Sequence, residues 1–289
     1  MTKRQKALRR RRIFLTCCAV GLIMAILAVT GIVVLIKKAF SGTDGGNADS
    51  TPKSSVGETD SLNDVTSDLP STNKAYSAPA NAPDLDPYYS RLLLVNGEYP
   101  LPGDYNYGAN LTTIDAKYHN GQLDQINKDI WPYMKAMIEA AWADGVKLFV
   151  WSPYRSYETQ NMLFQKQVQR CINAGTPADK AEDEAATVVA RPGTSEHNTG
   201  LCADFNMASD AFETTPMYTW MSEHAADYGF ILRYPKGTTD KTGVIYESWH
   251  WRFVGISTAH EINDLGITLE EYVKLKKLDP QAELDTQVP

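Results

Sequence analysis

The folded part of this chain is predicted to be an α+β domain, because short strands are mixed with helices without a regular strand–helix alternation. The spacing of apolar residues predicts helices over residues 130–144, 157–174, 178–190, 216–228, 257–265 and 269–277. Short apolar runs predict a buried strand over residues 146–151 and further strands over residues 201–205, 230–233 and 249–253. These elements define a folded domain over residues 86–278, followed by a flexible tail over residues 279–289.

The first 36 residues have a composition of their own. Residues 1–12 are rich in Arg and Lys, and residues 13–36 form a run of 24 residues without a charge. About 20 apolar residues cross a bilayer as a helix, and a basic flank stays on the cytoplasmic side. The sequence therefore predicts a single-pass protein of the cell membrane, with a cytoplasmic N-terminus, a signal-anchor helix over residues 13–36 and an extracellular domain.

A cleavable signal peptide is the alternative interpretation of this run. The apolar core of a signal peptide is about 7–15 residues long and ends at a site with small residues. The run here is longer, and Lys37 and Lys38 follow it, which favours an uncleaved anchor. Residues 37–85 are rich in Ser, Thr, Asp, Asn, Gly and Pro, which predicts a disordered extracellular linker between the membrane and the folded domain.

Charge is unevenly distributed along the chain. Nine of the 28 basic residues lie in the first 38 positions, so the remainder holds 19 basic against 35 acidic side chains, a net charge of −16. A region with this negative charge repels phosphate, which argues against nucleic acid as the main partner. No motif implies a protein partner.

Two of the five histidines lie in settings that indicate a metal site. His197 precedes Asp204 by seven positions, and His250 follows Glu247 by three. A catalytic zinc takes three protein ligands from His, Asp and Glu and leaves one position for water. His197, Asp204 and His250 would supply such a set, and Glu247 would remain as the unligated base.

The combination of these motifs resembles the LAS zinc peptidases, which group lysostaphin-type endopeptidases, D-alanyl-D-alanine carboxypeptidases and the hedgehog signalling domain. Within that group the sequence is most similar to VanY-type carboxypeptidases. The resemblance spans residues 90–255 and rests on five motifs in order: LVN at 94–96 with LPGDY at 101–105, SPYRS at 152–156 with Gln160, SEHNTGLCAD at 195–204, YGFILRYP at 228–235 and YESWHWR at 246–252.

The resemblance implies a small central antiparallel sheet flanked by helices, as in the hedgehog domain and the D,D-peptidases. It also implies one catalytic Zn²⁺ held by His197, Asp204 and His250. Glu247 would accept a proton from the attacking water and return it to the leaving amine.

Three further residues are assigned to the substrate by the same resemblance. Arg155 would stabilise the transition state or hold the substrate through a forked hydrogen bond. Gln160 and Ser195 would be polar contacts near the substrate. Cys202 is a departure from the pattern, because such proteins often have a small or aliphatic residue there. This departure removes no chemical group that the reaction needs.

A geometric expectation follows from strand alternation. Successive side chains on a strand point to opposite faces, so Trp249, Trp251 and Phe253 would share the core face, and His250 and Arg252 would lie on the other face, with His250 facing the site. Glu247 would point the wrong way on a straight strand. A bend or turn is therefore predicted around Glu247–Ser248.

Cys171 and Cys202 are the cysteines of the predicted extracellular domain. An oxidising exterior permits a disulfide between them. Nothing in the sequence brings them together, so two buried thiols are predicted.

The function implied by the resemblance is removal of the C-terminal D-alanine from peptidoglycan stem peptides during cell-wall remodelling. The substrate stays open between a pentapeptide ending in D-Ala-D-Ala and a tetrapeptide ending in a diamino acid and D-Ala. The tyrosine-rich segments 105–107 and 234–246 are candidates to line the pocket that distinguishes them. The alternatives are an endopeptidase of peptidoglycan cross-bridges and a non-catalytic wall-binding module on the same fold. Glu247 and Arg155 argue against the module, because binding alone needs no base.

Overall fold

The computed structural model describes residues 92–281, which lie within one compact unit of the chain. The predicted basic segment, membrane helix and linker lie outside the described residues, as does most of the predicted tail. Within residues 92–281, no helix is long and apolar enough to cross a membrane.

The described region contains short strands and mostly short helices. The strands are β1 Leu111–Thr113, β2 Gln125–Asn127, β3 Val150–Ser152, β4 Cys202–Phe205, β5 Phe230–Leu232 and β6 His250–Phe253. The α-helices are α1 Trp131–Ala143, α2 Tyr157–Ala174, α3 Ala181–Ala186, α4 Pro216–His224, α5 Thr239–Thr242, α6 Ile256–Leu265 and α7 Leu269–Leu275. Short 3₁₀ helices lie at Ala116–Tyr118, Glu196–Asn198, Asp210–Thr214 and Ala225–Tyr228.

Four strands form the central sheet in the order β3-β4-β6-β5, and every neighbouring pair is antiparallel. β1 and β2 form a separate antiparallel pair. The α+β class and the small central antiparallel sheet are therefore confirmed. Sequence reasoning missed the β1–β2 pair, because three residues per strand are too few to show an alternating pattern.

The two faces of the central sheet have different roles. One face is apolar and packs in the main core with α1, through side chains such as Ala203, Phe205, Trp251 and Phe253. The alternating residues of β4 and β6 are polar and buried on the opposite side. The alternation predicted for β6 is confirmed for Trp251 and Phe253, and it leaves the second face free to build a site. Trp249, predicted to share their face, lies in the turn before the strand instead.

Helices α6 and α7 form a second apolar cluster with the start of the described region. Leu94, Ile231, Ala259 and Leu269 are buried in it. Helix α7 begins with a capping box, in which Thr268 and Glu271 satisfy each other's backbone N–H groups. These contacts fix the C-terminal helices beside β5 and β6.

Helix α2 is bounded by an N-cap and a left-handed glycine. The Ser156 side chain accepts a hydrogen bond from the Thr159 backbone N–H, and Gly175 ends the helix at φ 105°. Phe164 and Cys171 pack against α3 in a small cluster of their own. One side of helix α2 lines the cavity that is described below.

Two predicted elements are shorter than expected. The helix predicted over residues 178–190 is reduced to Ala181–Ala186. Pro192 disfavours helix at the preceding residue, and the carbonyl of Ala190 accepts a hydrogen bond from Gln160 instead.

The strand predicted over residues 146–151 is reduced to Val150–Ser152. Its ladder with β4 is interrupted by a register shift between Val150 and Ser152. Just after β4 the chain turns at Asn206, which has φ 55° and bonds Phe149 through both its side chain and its backbone. Trp151 is consequently 40% exposed, so the prediction of a buried strand was wrong there.

Cys171 and Cys202 are both free and buried. The prediction of two buried thiols is confirmed. Cys171 lies in the α2–α3 cluster, whereas Cys202 begins β4.

Candidate active site

Two neighbouring strands and the turn before them bring the predicted metal ligands together. Asp204 on β4 stands opposite His250 on β6 in the ladder. His197 lies on the 3₁₀ turn Glu196–Asn198, which leads into β4 through Gly200 at φ 69°. A Cβ at Gly200 would meet the Asn127 backbone nitrogen at 2.8 Å, so only glycine allows this close turn.

The imidazoles of His197 and His250 both approach one carboxylate oxygen of Asp204. Asp204 Oδ1 lies 3.4 Å from His197 Nε2 and 3.3 Å from His250 Nδ1. This oxygen is buried and has no hydrogen-bond partner among the described residues. In a tetrahedral zinc site with bonds of about 2.0–2.1 Å, neighbouring ligand atoms are about 3.3–3.4 Å apart. The residues present therefore fit a zinc ion, and His197, Asp204 and His250 could hold it.

The other contacts of these residues fix their orientation. The Nδ1 of His197 lies 2.7 Å from the Pro153 carbonyl oxygen, so Nε2 is left for a metal. Arg155 Nη2 donates to Asp204 Oδ2 at 2.6 Å. Burial opposes ionisation of Asp204, but His197 and Arg155 outweigh it and hold the pKa of this carboxyl below its usual range.

Glu247 approaches the site from the turn before β6. Its Oε2 lies 3.6 Å from His250 Nδ1, and β6 begins only at His250, after a turn at Ser248–Trp249. The predicted turn is confirmed. Burial raises the pKa of Glu247 to about 7, with His250 opposing and Asp204 adding to the shift. A carboxyl group with such a pKa can exchange protons near neutral pH.

Arg155 is engaged more fully than its predicted role requires. Besides Asp204, its Nε donates to Ser152 Oγ at 2.9 Å, and its Nη1 lies 3.5 Å from Gln160 Oε1. The Arg155 backbone N–H donates to the His197 carbonyl. Arg155 thus connects one candidate ligand to the turn that carries another.

A cavity of about 280 Å³ opens onto these groups. It is lined by the candidate ligands and Glu247, by Arg155, Gln160 and Ser195, and by Leu163, Lys166, Gln167, Arg170, Val188, Val189, Ala190, Ala208, Tyr234, Val244 and Trp249. Gln160 is held by its Nε2 donating to the Ala190 carbonyl. All seven residues selected from the sequence therefore meet at one cavity.

Tyrosines near the site were expected to line the substrate pocket from residues 105–107 and 234–246. Tyr234 and Val244 are in the cavity wall, but Tyr105, Tyr107 and Tyr246 are not. Tyr105 and Tyr107 pack edge to face against each other instead. The expectation was wrong for these three tyrosines.

Glu196 is the residue that sequence reasoning missed. It is fully buried, and its Oε1 accepts from Arg233 Nε and Arg252 Nη1, each at 2.7 Å. Its Oε2 lies 3.4 Å from His250 Nε2. Burial opposes ionisation of Glu196, but Arg233 and Arg252 hold its pKa well below the usual range.

The network around Glu196 extends to the C-terminal helices. Arg233 donates through Nη1 and Nη2 to both carboxylate oxygens of Glu270 on α7, at 2.9 and 2.6 Å. The only sequence signal for Glu196 is its place next to His197, since its two arginines are distant in the sequence, one just after β5 and the other on β6.

The fold and this buried His–Asp–His site with an adjacent carboxylate define a zinc-dependent peptidase. A family model described as VanY, D-alanyl-D-alanine carboxypeptidase, matches residues 123–256. A D-alanyl-D-alanine carboxypeptidase of Enterococcus faecalis (strain ATCC 700802 / V583) is 39% identical over 188 residues, which make up 64% of this chain and 66% of that protein. The chain thus covers about two thirds of this relative's length.

Solved structures agree with this relationship. A vancomycin-resistance D,D-pentapeptidase VanY in complex with Zn(II) is 38% identical with a TM-score of 0.56, covering 64% of this chain and 99% of that chain. The LD-carboxypeptidase LdcB is 36% identical with a TM-score of 0.56, and the match covers 66% of this chain and 88% of that chain. The chain belongs to the VanY family of zinc carboxypeptidases. The prediction of a zinc cofactor is confirmed.

Proposed function

We propose that this chain removes the C-terminal D-alanine from peptidoglycan stem peptides by zinc-dependent hydrolysis. The observation that carries the proposal is Asp204 Oδ1, a buried oxygen without a hydrogen-bond partner, between His197 and His250 and close to Glu247. Similarity to a D,D-pentapeptidase and to an LD-carboxypeptidase supports the substrate class.

In the proposed mechanism His197, Asp204 and His250 hold Zn²⁺. The metal supplies Lewis acidity and lowers the pKa of water to about 7. Glu247 takes a proton from the attacking water and gives it to the leaving amine of D-alanine. Its buried position and raised pKa suit both steps, because the group can be an acceptor and then a donor near neutral pH.

Arg155, Gln160 and Ser195 bind the substrate in this proposal. All three line the cavity. Arg155 directs Nη2 and Nε to Asp204 and Ser152, while the distance of 3.5 Å from Nη1 to Gln160 leaves that nitrogen only weakly engaged. A substrate carboxylate or the developing oxyanion could therefore bind at Nη1.

The experiment is mass spectrometry of purified stem peptides after incubation with the zinc-loaded chain. Loss of one alanine is expected, and it should slow about 10²–10⁴-fold when Glu247 is replaced by Gln. Cleavage of the tetrapeptide alone assigns L,D specificity, and cleavage of the pentapeptide alone assigns D,D specificity. Cleavage of cross-linked dimers without loss of terminal alanine would show an endopeptidase. Zinc binding without any cleavage would show a wall-binding module.

A second part of the proposal concerns location. We propose that residues 13–36 form an uncleaved membrane anchor that places the peptidase domain outside the cell. The length of the uncharged run and the basic residues 9–12 before it support this arrangement. The protein is expected to stay with membranes in alkaline carbonate and to lose its peptidase domain to external protease. Release of a shortened chain into the medium would contradict the anchor.

A further inference from the structure

Cys202 lies at the base of the candidate zinc site. It is fully buried on β4, two residues before Asp204, so both side chains lie on the same face of the strand. In the ladder it stands opposite Arg252, while Asp204 stands opposite His250. The thiol is therefore held beneath the two imidazoles by regular strand geometry.

The thiol belongs to a second group of possible metal ligands. One donor atom each of His197, Cys202 and His250 lie within 4.8 Å of one another, and all three residues are buried. The neighbouring group consists of Asp204, Glu247 and His250, also within 4.8 Å. Asp204 Oδ1, buried without a hydrogen-bond partner, independently marks this place as one built for a cation.

We propose that Cys202 gives this chain a second way to hold a metal ion, in which a thiophilic ion such as Cd²⁺ is bound by His197, His250 and the Cys202 thiolate. The inference rests on the proposed metal-binding role of the two histidines. Binding forms a metal–sulfur bond and releases the thiol proton to solvent, because the thiolate is the ligand.

The chemistry of the two donor sets separates the ions that they prefer. A thiolate favours soft ions, whereas a carboxylate favours harder ones. Zinc, which accepts nitrogen, oxygen and sulfur ligands, stays in the His197–Asp204–His250 set beside Glu247. An ion bound by His197, His250 and Cys202 lies farther from Glu247, because Glu247 belongs to the Asp204 group and not to the Cys202 group. The cadmium form is therefore a poor peptidase.

The test uses the full chain with Cys17, Cys18 and Cys171 replaced by Ala, so that Cys202 is the only thiol. The metal-free protein is titrated with Cd²⁺ while ultraviolet absorption is recorded. We expect a thiolate-to-cadmium charge-transfer band that saturates at one equivalent. Adding Cys202→Ala should abolish the band and weaken Cd²⁺ binding while leaving Zn²⁺ binding in place.

Three results would overturn the inference. One is stoichiometric cadmium binding without the band in the single-thiol protein. Another is a band that persists after Cys202→Ala. The third is an equal loss of Cd²⁺ and Zn²⁺ affinity in that variant, which would mean that Cys202 acts only through packing. Peptide hydrolysis by the zinc-loaded single-thiol protein is measured in parallel, since its failure with an intact band counts against the proposed function and not against the cadmium site.

Discussion

Glu196 Oε2 lies 3.4 Å from His250 Nε2, while the other ring nitrogen of His250 faces Asp204 Oδ1 at 3.3 Å. A carboxylate on the far side of a metal-binding imidazole fixes the ring orientation and raises the basicity of the ligand nitrogen. Glu196 is itself held by Arg233 and Arg252. The orientation of His250 thus depends on a buried charge network rather than on β6 alone.

Replacing Glu196 with Gln tests this network. The variant keeps the shape of the side chain but removes the buried carboxylate that Arg233 and Arg252 share, so that Arg233 is left with Glu270 alone. Removal of one partner of a buried ion pair costs about 3–5 kcal/mol, and loss of a group that orients a ligand weakens metal binding about 10–100-fold. Urea unfolding and zinc competition measure the two effects. Glu182→Gln, at an exposed position of α3, is the matched control and should change neither.

Replacing Glu247 with Gln separates catalysis from metal binding. The amide keeps the size of the side chain but cannot accept the proton from water. The turnover number is expected to fall about 10²–10⁴-fold, the usual contribution of a positioned general base, with zinc content unchanged. Steady-state kinetics and metal analysis check both parts. Turnover close to that of the parent chain would remove Glu247 from the mechanism.

Arg155→Lys distinguishes two roles for the same side chain. Lysine cannot keep the contacts with Asp204 Oδ2 and Ser152 Oγ together. If Arg155 orients Asp204, zinc affinity falls about 10–100-fold. If it only contacts substrate, zinc affinity holds while KM rises. Arg170→Lys, on the cavity wall without an ion pair among the described residues, is the control for a general effect of replacing a cavity arginine with lysine.

Gly229→Ala and Gly266→Ala form a matched pair for backbone strain. Both glycines have positive φ, at 84° and 62°, so each alanine costs about 1–2 kcal/mol. Only at Gly229 does the added Cβ meet neighbours, with Phe253 Cε2 at 2.7 Å, whereas nothing lies within 4 Å at Gly266. Gly229→Ala should therefore cost about 1–3 kcal/mol more. Equal losses in urea unfolding would show that the packing around Phe253 relaxes freely.

Removing the metal should lower both activity and stability. A chelator is expected to abolish D-alanine release, and added Zn²⁺ to restore it. Because the ion binds the folded site, the stability gained is about 2.7 kcal/mol when free zinc is 100 times the dissociation constant. Thermal unfolding at several zinc concentrations measures this gain. An unfolding temperature independent of zinc would contradict a preformed site.

Local pattern was enough for most of the fold. Helix α2 was predicted over residues 157–174 and has those bounds, because an N-cap serine and a C-terminal glycine mark its ends. The turn before His250 also followed from strand alternation alone. Predictions failed where a side chain distant in the sequence forms a hydrogen bond with the backbone. The Ala190 carbonyl accepts such a bond from Gln160, and the Phe149 backbone N–H donates one to Asn206.

The sequence by itself determined which residues can do the chemistry, because His197, Asp204, His250 and Glu247 carry the needed donor types in recognisable local motifs. It could not show how they are held. Arg155 reaches Asp204 across 49 positions and Arg252 reaches Glu196 across 56. Such contacts depend on which strands become neighbours, and spacing along one chain does not encode that. Tertiary structure alone decided that Glu196 lies beside His250 and that Cys202 lies beside the candidate metal ligands.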